Sequence, residues 1–179
     1  PAGRPDDFDV LGAPVDGRGV NYYTREIIQA TDGPWPSHRS VEGPLPKTQM
    51  GWEIYPEGLL HFLRRCHAEF SGDLPLYVTE SGASYLDYVD PAGEVRDFER
   101  IEYLDGYLGA AAQAIEDGVD LRGYFVWSVL DNFEWGEGYR SRFGLVYVDY
   151  GTQRRIPKAS AHWYRDLIGR HAQARPHRR

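Results

Sequence analysis

The chain has 179 residues, 41% hydrophobic and 26% charged, which is typical of a soluble globular protein and suggests one domain. Its formal net charge of −7 at pH 7 argues against nucleic-acid binding, which needs a basic surface to neutralise phosphates. The single cysteine excludes an intrachain disulfide and favours a reducing, cytoplasmic location, and no apolar run is long enough to span a membrane.

The first part of the chain predicts irregular structure, then a strand, a long loop and a helix. Residues 1–18 are rich in Pro, Gly and Asp, whereas the β-prone stretch GVNYYT at 19–24 predicts a strand. Residues 29–51 are polar and contain four prolines, so they predict a long loop. Pro56 suits the first turn of a helix that Gly72 ends. Its apolar face has helical spacing and includes a core thiol: Leu59, Leu60, Leu63, Cys66, and His67 or Phe70.

Two further strands and a second helix follow. LPLYVT at 74–79 is an apolar run of strand length that leads into Glu80. Asp97 is a candidate N-cap for a helix that ends at Gly118, and LRGYFVWSVL at 121–130 predicts another buried strand. The apolar face predicted for this helix consists of Ile101, Leu104, Tyr107, Leu108, Ala111, Ala112 and Ile115.

The chain then predicts a loop, an extended segment at 145–150 and a last helix. Pro157 opens this helix, and the basic stretch RHAQARPHRR at 170–179 predicts a frayed tail. The apolar positions of the helix are Ala161, Tyr164, Leu167 and Ile168.

Strands alternating with helices predict an α/β fold with a parallel sheet wrapped by helices. Three such strands cannot close a barrel, and a complete (β/α)8 barrel typically needs about 250 residues. The chain also begins with Pro1 rather than Met. We therefore expect part of a larger domain to precede Pro1.

Polar and aromatic side chains gather at the predicted carboxyl ends of the three strands, where parallel α/β folds form ligand sites. Asn21 and Tyr23 are two positions apart on the first predicted strand and should share one face. Glu80 ends the second strand. The third strand and its loop supply Trp127, Asp131, Asn132, Glu134 and Trp135. Each taken singly also fits a plain structural role, a solvated loop carboxylate or a packed aromatic ring.

Other kinds of site lack their motifs. The histidines show no close pair at ligand spacing, and HExxH and CxxC are absent, so no metal site is predicted. No glycine-rich phosphate loop follows a strand, and the segment ESGAS around Ser81 is not the GxSxG of a nucleophilic serine. No cofactor is therefore expected.

Several of these stretches resemble the family 1 glycoside hydrolases, the retaining β-glucosidase family. YVTESGA is similar to that family's Thr-Glu-Asn-Gly nucleophile motif, and GVNYYT to its sixth barrel strand. GYFVWSVLDNFEWGEGYRSRFGLVYVDY resembles its eighth strand and following loop. MGWEIYPEGL resembles the stretch that leads into its sixth helix, and PKASAHWY its last helix. The resemblance covers almost the whole chain. It implies a (β/α)8 barrel domain of which residues 1–179 are the C-terminal part, with roughly strands 6 to 8.

The resemblance also implies roles for single residues. Glu80 matches the nucleophile that forms a covalent glycosyl-enzyme, and Tyr23 the tyrosine that hydrogen-bonds it. The remaining matches are sugar-binding positions: Asn21, the platform Trp127, the hydroxyl-binding pair Glu134 and Trp135, and the pocket aromatic Phe143. The implied ligand is a β-glycoside, and the carboxylate of Glu134 implies a non-phosphorylated sugar because it would repel a phosphate.

Two departures from the family pattern stand out. Ser81 replaces the usual Asn beside the nucleophile, which is expected to alter local hydrogen bonding. Gly17-Arg18 replaces an apolar pair, so the start of the first strand is expected to be distorted.

The general acid/base of the family is missing. A retaining glycosidase needs a second carboxylic acid about 5–5.5 Å from the nucleophile. The family carries it in an Asn-Glu-Pro motif, which this sequence lacks. Three explanations stay open: a fragment of a full enzyme, assembly with a chain that supplies the missing strands, or an inert, self-associating or weakly sugar-binding remnant.

Overall fold

The computed structural model describes residues 3–4 and 6–174, so the last five residues of the predicted tail lie outside it. Strands run over β1 Arg18–Asn21, β2 Ile27–Ala30, β3 His38–Val41, β4 Leu76–Ser81, β5 Leu121–Val126, β6 Val146–Val148 and β7 Arg155–Pro157. Helices are α1 Asp7–Leu11, α2 Pro56–Arg65, α3 Phe98–Glu116 and α4 Ala159–Ala174. A π-helical turn, Cys66–Ser71, extends α2, and a 3-10 turn spans Trp135–Glu137.

The predicted α/β order is confirmed, since β1, β4 and β5 form a parallel three-stranded sheet in the order β1-β4-β5. Helices α2, α3 and α4 follow these strands in the chain, and α3 packs against both α2 and α4. The core lies between the sheet and these helices, where Val20, Leu76 and Val78 meet apolar side chains of α2 and α3. The described helices cover one face of the sheet, although the sequence predicted strands buried on both.

No helix among the described residues covers the second face of the sheet, which we call the open face. Thr79 donates a hydrogen bond across it to Asn21, and both residues are exposed. Phe125 on β5 is 57% exposed. Strand residues on this face alternate with the buried ones because successive side chains point to opposite sides of a strand. The open face therefore holds both polar and apolar groups.

Several predicted boundaries are wrong. The segment 1–18 contains the short helix α1, and the predicted loop 29–51 overlaps an antiparallel hairpin of β2 and β3. Pro157 ends β7 instead of opening α4. The start of β1 is regular, since Arg18 is exposed and its Cα pairs with that of Leu76. The irregularity of β1 lies at its other end, between Val20 and Asn21.

The predicted buried face of α3 is rotated. The helix buries Arg100, Tyr103 and Ala114, which the apolar pattern omitted, while Ile115 is 40% exposed. Asp97 precedes α3 as predicted, but its carboxylate makes no capping bond and instead accepts hydrogen bonds from Ser160 N and Oγ. Polar partners inside the protein thus decide which face of α3 turns inward.

No helix within residues 6–174 combines the length and apolar character that crossing a membrane requires.

Candidate active site

The carboxyl ends of the three parallel strands are joined by backbone hydrogen bonds. Tyr22 N donates to the carbonyl of Glu80, and Trp127 N donates to the carbonyl of Ser81, each at 2.9 Å. Tyr23 and Trp127 lie just beyond their strands, which end at Asn21 and Val126 instead of at the predicted positions 24 and 130. The sheet nevertheless brings all three chain segments to one edge, as its parallel topology predicts.

Tyr23 and Glu80 form a direct pair. The Tyr23 hydroxyl donates a hydrogen bond of 2.9 Å to Oε2 of Glu80. Burial raises the pKa of Tyr23 well above its usual range, and the hydrogen bond to Glu80 raises it further. Tyr23 therefore acts as a hydrogen-bond donor and keeps its proton near neutral pH.

The α3 helix fixes the backbone of Tyr23. Tyr103 and Tyr107 both donate to the carbonyl oxygen of Tyr23, at 3.3 and 3.1 Å. Their rings are stacked with centroids 4.1 Å apart, and both side chains are at most 1% exposed. Two buried donors on one carbonyl limit how far Tyr23 can move from Glu80.

Glu134 and Trp127 form the second pair at this edge. The indole Nε1 of Trp127 donates to Oε2 of Glu134 at 3.3 Å, a long hydrogen bond. The backbone bond from Trp127 N to Ser81 O places this pair beside the segment that carries Glu80, and the negative charges of Glu80 and Glu134 both raise the pKa of Tyr23. The structure thus brings together Tyr23, Glu80, Trp127 and Glu134.

Trp135 and Phe143 occupy contrasting positions. The Trp135 side chain is 83% exposed, and its backbone is left-handed, with φ 43°. Bulky residues rarely adopt this region, at a cost of about 1–3 kcal/mol. Phe143 is only 1% exposed, and its ring centroid lies 6.3 Å from that of Tyr23. Phe143 is thus a buried ring that packs beside Tyr23, whereas Trp135 faces solvent.

Asn21, Asp131 and Asn132 do not join the Tyr23–Glu80 pair. The Asn21 amide oxygen accepts a hydrogen bond from Thr79 Oγ1 at 2.7 Å. The Asp131 side chain is fully buried against Lys158 and Arg142, and Asn132 Nδ2 donates to Ser128 Oγ at 2.9 Å. These contacts hold Asp131 and Asn132 in the surrounding structure. Asn21 is exposed and its Cα pairs with that of Glu80, and its expected sugar-binding role stays a prediction.

The two residues that follow Glu80 in the chain, Ser81 and Gly82, have structural roles at this edge of the sheet. Ser81 is fully buried, and its hydroxyl lies 3.4 Å from that of Tyr103 on the helical side of the sheet. A Cβ on Gly82 would lie 1.9 Å from the carbonyl oxygen of Trp127. The absence of a side chain at Gly82 therefore lets the segments carrying Glu80 and Trp127 approach.

Trp52 is a site residue that the sequence reasoning missed. Its ring centroid lies 5.5 Å from that of Tyr23 and 6.1 Å from that of Phe143. Trp52 lies shortly before α2, in the stretch MGWEIYPEGL that resembles the family. That resemblance was the available signal, but it did not predict a contact with Tyr23. Only the fold shows that this segment crosses to the Tyr23 ring.

The site has carboxylates, a phenol and aromatic rings as its chemical groups. Within residues 6–174, His, Cys, Asp and Glu side chains form no group of three or more that could hold a metal ion. The predicted absence of a cofactor stays a prediction.

Comparison with known proteins gives consistent matches over nearly the whole chain. The family model described as glycosyl hydrolase family 1 matches residues 3–173. β-Glucosidase A of Thermotoga maritima is 45% identical over 168 residues, 94% of this chain and 37% of the relative. A 6-phospho-β-galactosidase of Streptococcus equi subsp. zooepidemicus is 37% identical over 187 residues, 92% of this chain and 39% of the relative. The chain spans less than half the length of these relatives.

A solved structure of the family 1 β-glucosidase from Thermotoga maritima, in complex with isofagomine lactam, superposes with a TM-score of 0.86. It is 47% identical, and the alignment covers 92% of this chain and 37% of that chain. The parallel sheet and its helices therefore correspond to part of a (β/α)8 barrel.

Proposed function

The chain belongs to glycosyl hydrolase family 1, and from that premise we propose that it carries the nucleophile half of a retaining β-glycosidase. The observation that supports this most directly is the 2.9 Å hydrogen bond from the Tyr23 hydroxyl to Oε2 of Glu80. Hydrogen bonding to a carboxylate favours its charged form, which is the nucleophilic one. The proposal assigns the attack to the other oxygen, Oε1.

The proposed reaction is a double displacement. Glu80 Oε1 forms a bond to the anomeric carbon while the bond to the leaving oxygen breaks, and a carboxylic acid outside this chain protonates that oxygen. Water then attacks the anomeric carbon, gives its proton to the same outside carboxylate, and releases Glu80. Two inversions give net retention.

The proposed substrate is a neutral β-glycoside without a phosphate. Glu134 offers carboxylate oxygens to sugar hydroxyls, and its charge would repel a 6-phosphate. Relatives of both substrate types match this chain, a β-glucosidase and a 6-phospho-β-galactosidase, so the family alone does not select between them. Trp127 and Trp135 supply flat apolar surfaces suited to sugar rings.

The proposed enzyme is larger than residues 1–179. We assign β1, β4 and β5 to barrel strands 6, 7 and 8, and this chain to the C-terminal part of one barrel domain. The coverage of about 37% of the relatives supports a partial barrel, and the strand numbers rest on the resemblance of GVNYYT to the sixth strand and of GYFVWSVL to the eighth. The open face of the sheet, where Asn21 and Thr79 are exposed, is then the surface that the remaining strands enclose. Those strands would come from the same protein or from a second chain.

A second candidate function is an inert module that self-associates or binds sugar weakly. The exposed apolar groups around the sheet favour it, since Phe125 is 57% exposed and Val129 68% exposed. Large exposed apolar surfaces usually mark an interaction site. A cytoplasmic location is retained as a prediction under either function.

Covalent labelling separates the two candidates. The chain is incubated with a 2-deoxy-2-fluoro-glucoside carrying a dinitrophenolate leaving group, which departs without acid assistance, and intact mass is measured. One sample contains the chain alone, and another adds the part of Thermotoga maritima β-glucosidase A that this chain does not match. The Glu80→Gln variant is the control.

We expect one added fluoroglucosyl group per chain in the mixed sample, mapped to Glu80 and missing from Glu80→Gln. Labelling at another residue, or equal labelling of Glu80→Gln, would refute the role of Glu80. No labelling in the mixture, with a stable homo-oligomer by light scattering, would instead favour the inert module.

A further inference from the structure

Six charged side chains form a buried network beside the candidate site. Three are acidic and three are basic, so their formal charges cancel, as burial of ionised groups requires. Five of them are at most 2% exposed and one, Arg142, is 16% exposed. The network consists of Asp87, Asp97, Arg100, Asp131, Arg142 and Lys158.

Arg100 holds the segment that follows Glu80. Its Nε donates to the carbonyl of Ala83 at 3.2 Å, and its Nη2 donates to Asp87 Oδ2 at 2.7 Å. The same Nη2 donates to the carbonyl of Arg142 at 2.8 Å. Ala83 is only three residues after Glu80, so this guanidinium fixes the backbone that leaves the nucleophile.

Asp131 holds the segment that carries Trp127 and Glu134. Its carboxylate accepts hydrogen bonds from Gly144 N at 2.9 Å and from Val148 N at 3.3 Å. It also pairs with Arg142 Nη1 at 2.6 Å. Asp131 therefore ties the start of the loop after β5 to its end.

Lys158 connects the two segments. Its Nζ donates to Asp87 of the first segment and, at 2.9 Å, to Asp131 Oδ1 of the second. The side chain is fully buried, and the residue directly precedes α4. Without its charge the buried network would hold three acids against two bases. Asp87 and Asp131 would lose the cation that they share, and the hold between the two segments would weaken.

We propose that Lys158 is a positioning residue that sets the separation between Glu80 and Glu134 by holding the two segments against each other. The inference rests on the proposed function for the meaning of that separation. The link that Lys158 makes runs through Asp87 and Asp131, beside the bond from Arg100 Nη2 to the carbonyl of Arg142, and it can be tested without substrate.

Hydrogen exchange of the chain alone, followed amide by amide by NMR, provides the test. The reporters are Trp127 N and Glu134 N, which bond to Ser81 O and Gly138 O, and the reference is Val78 N in the centre of the sheet. In Lys158→Met we expect exchange at both reporters to rise about tenfold relative to Val78. Lys47→Met is the matched control, because it removes an ion pair with the exposed Glu42.

The double variant Lys158→Met, Asp131→Asn removes one acid together with the base, so the formal charges of the network cancel again, and we expect it to recover part of the protection. Unchanged reporters in Lys158→Met would overturn the proposal. An equal rise at Val78 would also overturn it, because that would show general destabilisation. If Lys158→Met does not fold, Asp87→Asn takes its place because it removes the ion pair of Lys158 with the first segment, and unchanged protection of both reporters there would overturn the proposal.

A second measurement connects the network to catalysis. The mixed sample combines this chain with the complementary part of Thermotoga maritima β-glucosidase A, and Glu80 is labelled there by the fluoroglucoside. Lys158→Met should slow that labelling about tenfold or more, while Lys47→Met should not. Unchanged labelling by Lys158→Met would overturn the proposal. If the wild-type chain is not labelled, the proposed function fails, and hydrogen exchange alone still decides the role of Lys158.

Discussion

Replacing Gly82 with alanine tests whether the segments carrying Glu80 and Trp127 are in close contact. The added Cβ would lie 1.9 Å from the carbonyl oxygen of Trp127, a backbone atom that cannot rotate away. This is 1.1 Å short of the 3.0 Å below which such contacts are essentially absent from proteins (3.0 − 1.9 = 1.1). One of the two segments must therefore move.

The expected cost follows from the contacts that such a shift disturbs. Overpacking by one methyl group typically costs about 1–3 kcal/mol, and the rigid backbone partner argues for the upper end. The shift also strains the bond from Trp127 N to Ser81 O, 2.9 Å long, whose loss costs about 1 kcal/mol. We therefore expect the free energy of unfolding of Gly82→Ala to fall by about 3–4 kcal/mol.

Urea unfolding followed by circular dichroism measures this change, with Gly109→Ala as the matched control. Gly109 lies inside α3, and its added Cβ would meet nothing within 4 Å. The same substitution there should raise the free energy of unfolding by about 0.5–1 kcal/mol, because alanine favours a helix. Gly82→Ala should lower the midpoint by about 1.5–2 M urea for a slope of about 2 kcal/mol/M.

The free energy of unfolding is expected to fall in Gly82→Ala and to rise in Gly109→Ala. A Gly82→Ala midpoint equal to that of the wild-type chain would show that Glu80 and Trp127 are not as close as the structure places them. A loss of stability in Gly109→Ala as large as in Gly82→Ala would show that the effect comes from alanine itself and not from the contact.

Two further predictions concern tyrosines. Tyr23→Phe removes the 2.9 Å hydrogen bond to Glu80, a bond to a charged group worth about 1.5–3 kcal/mol, and should slow labelling of Glu80 in the mixed sample about 10- to 100-fold. Equal labelling rates for Tyr23→Phe and wild type would contradict the role of Tyr23. Burial raises the pKa of Tyr85 from 10.0 to about 12, so its stabilisation of the folded state is complete below pH 10 and is lost as the pH rises through 12. Between pH 9 and pH 11 the urea midpoint should therefore fall more for wild type than for Tyr85→Phe, and equal falls would show that Tyr85 does not contribute.

Regular elements with strong apolar patterns could be predicted from the sequence. The parallel order of three strands, the position of α2 and the buried residues Leu59 and Leu63 agree with the structure. The position of α2 and its buried face depend on neighbours within a few residues, and periodicity reports such local burial. The parallel order follows from the alternation of apolar strands with helices along the chain. The hairpin of β2 and β3 was missed because its proline-rich sequence is typical of a loop, while its pairing is decided by contacts between distant positions.

The face of α3 shows why local patterns fail for charged residues. Arg100 is 1% exposed because Asp87 and Asp97 neutralise it, and Asp87 lies 13 residues away in the chain. A hydropathy pattern assigns Arg100 to solvent, since an isolated buried charge would be too costly. Only the assembled partners remove that cost.

The sequence by itself determined the family resemblance, the α/β class and the gathering of Tyr23, Glu80, Trp127 and Glu134 at one sheet edge. It could do so because residues at the ends of parallel strands share an edge whatever their detailed contacts. The tertiary structure alone decided that Tyr23 bonds Glu80, that Trp127 bonds Glu134, and that Asp131 pairs with Lys158. Those pairings join residues from separate strands and loops, and their energy depends on distances and burial that no local sequence pattern records.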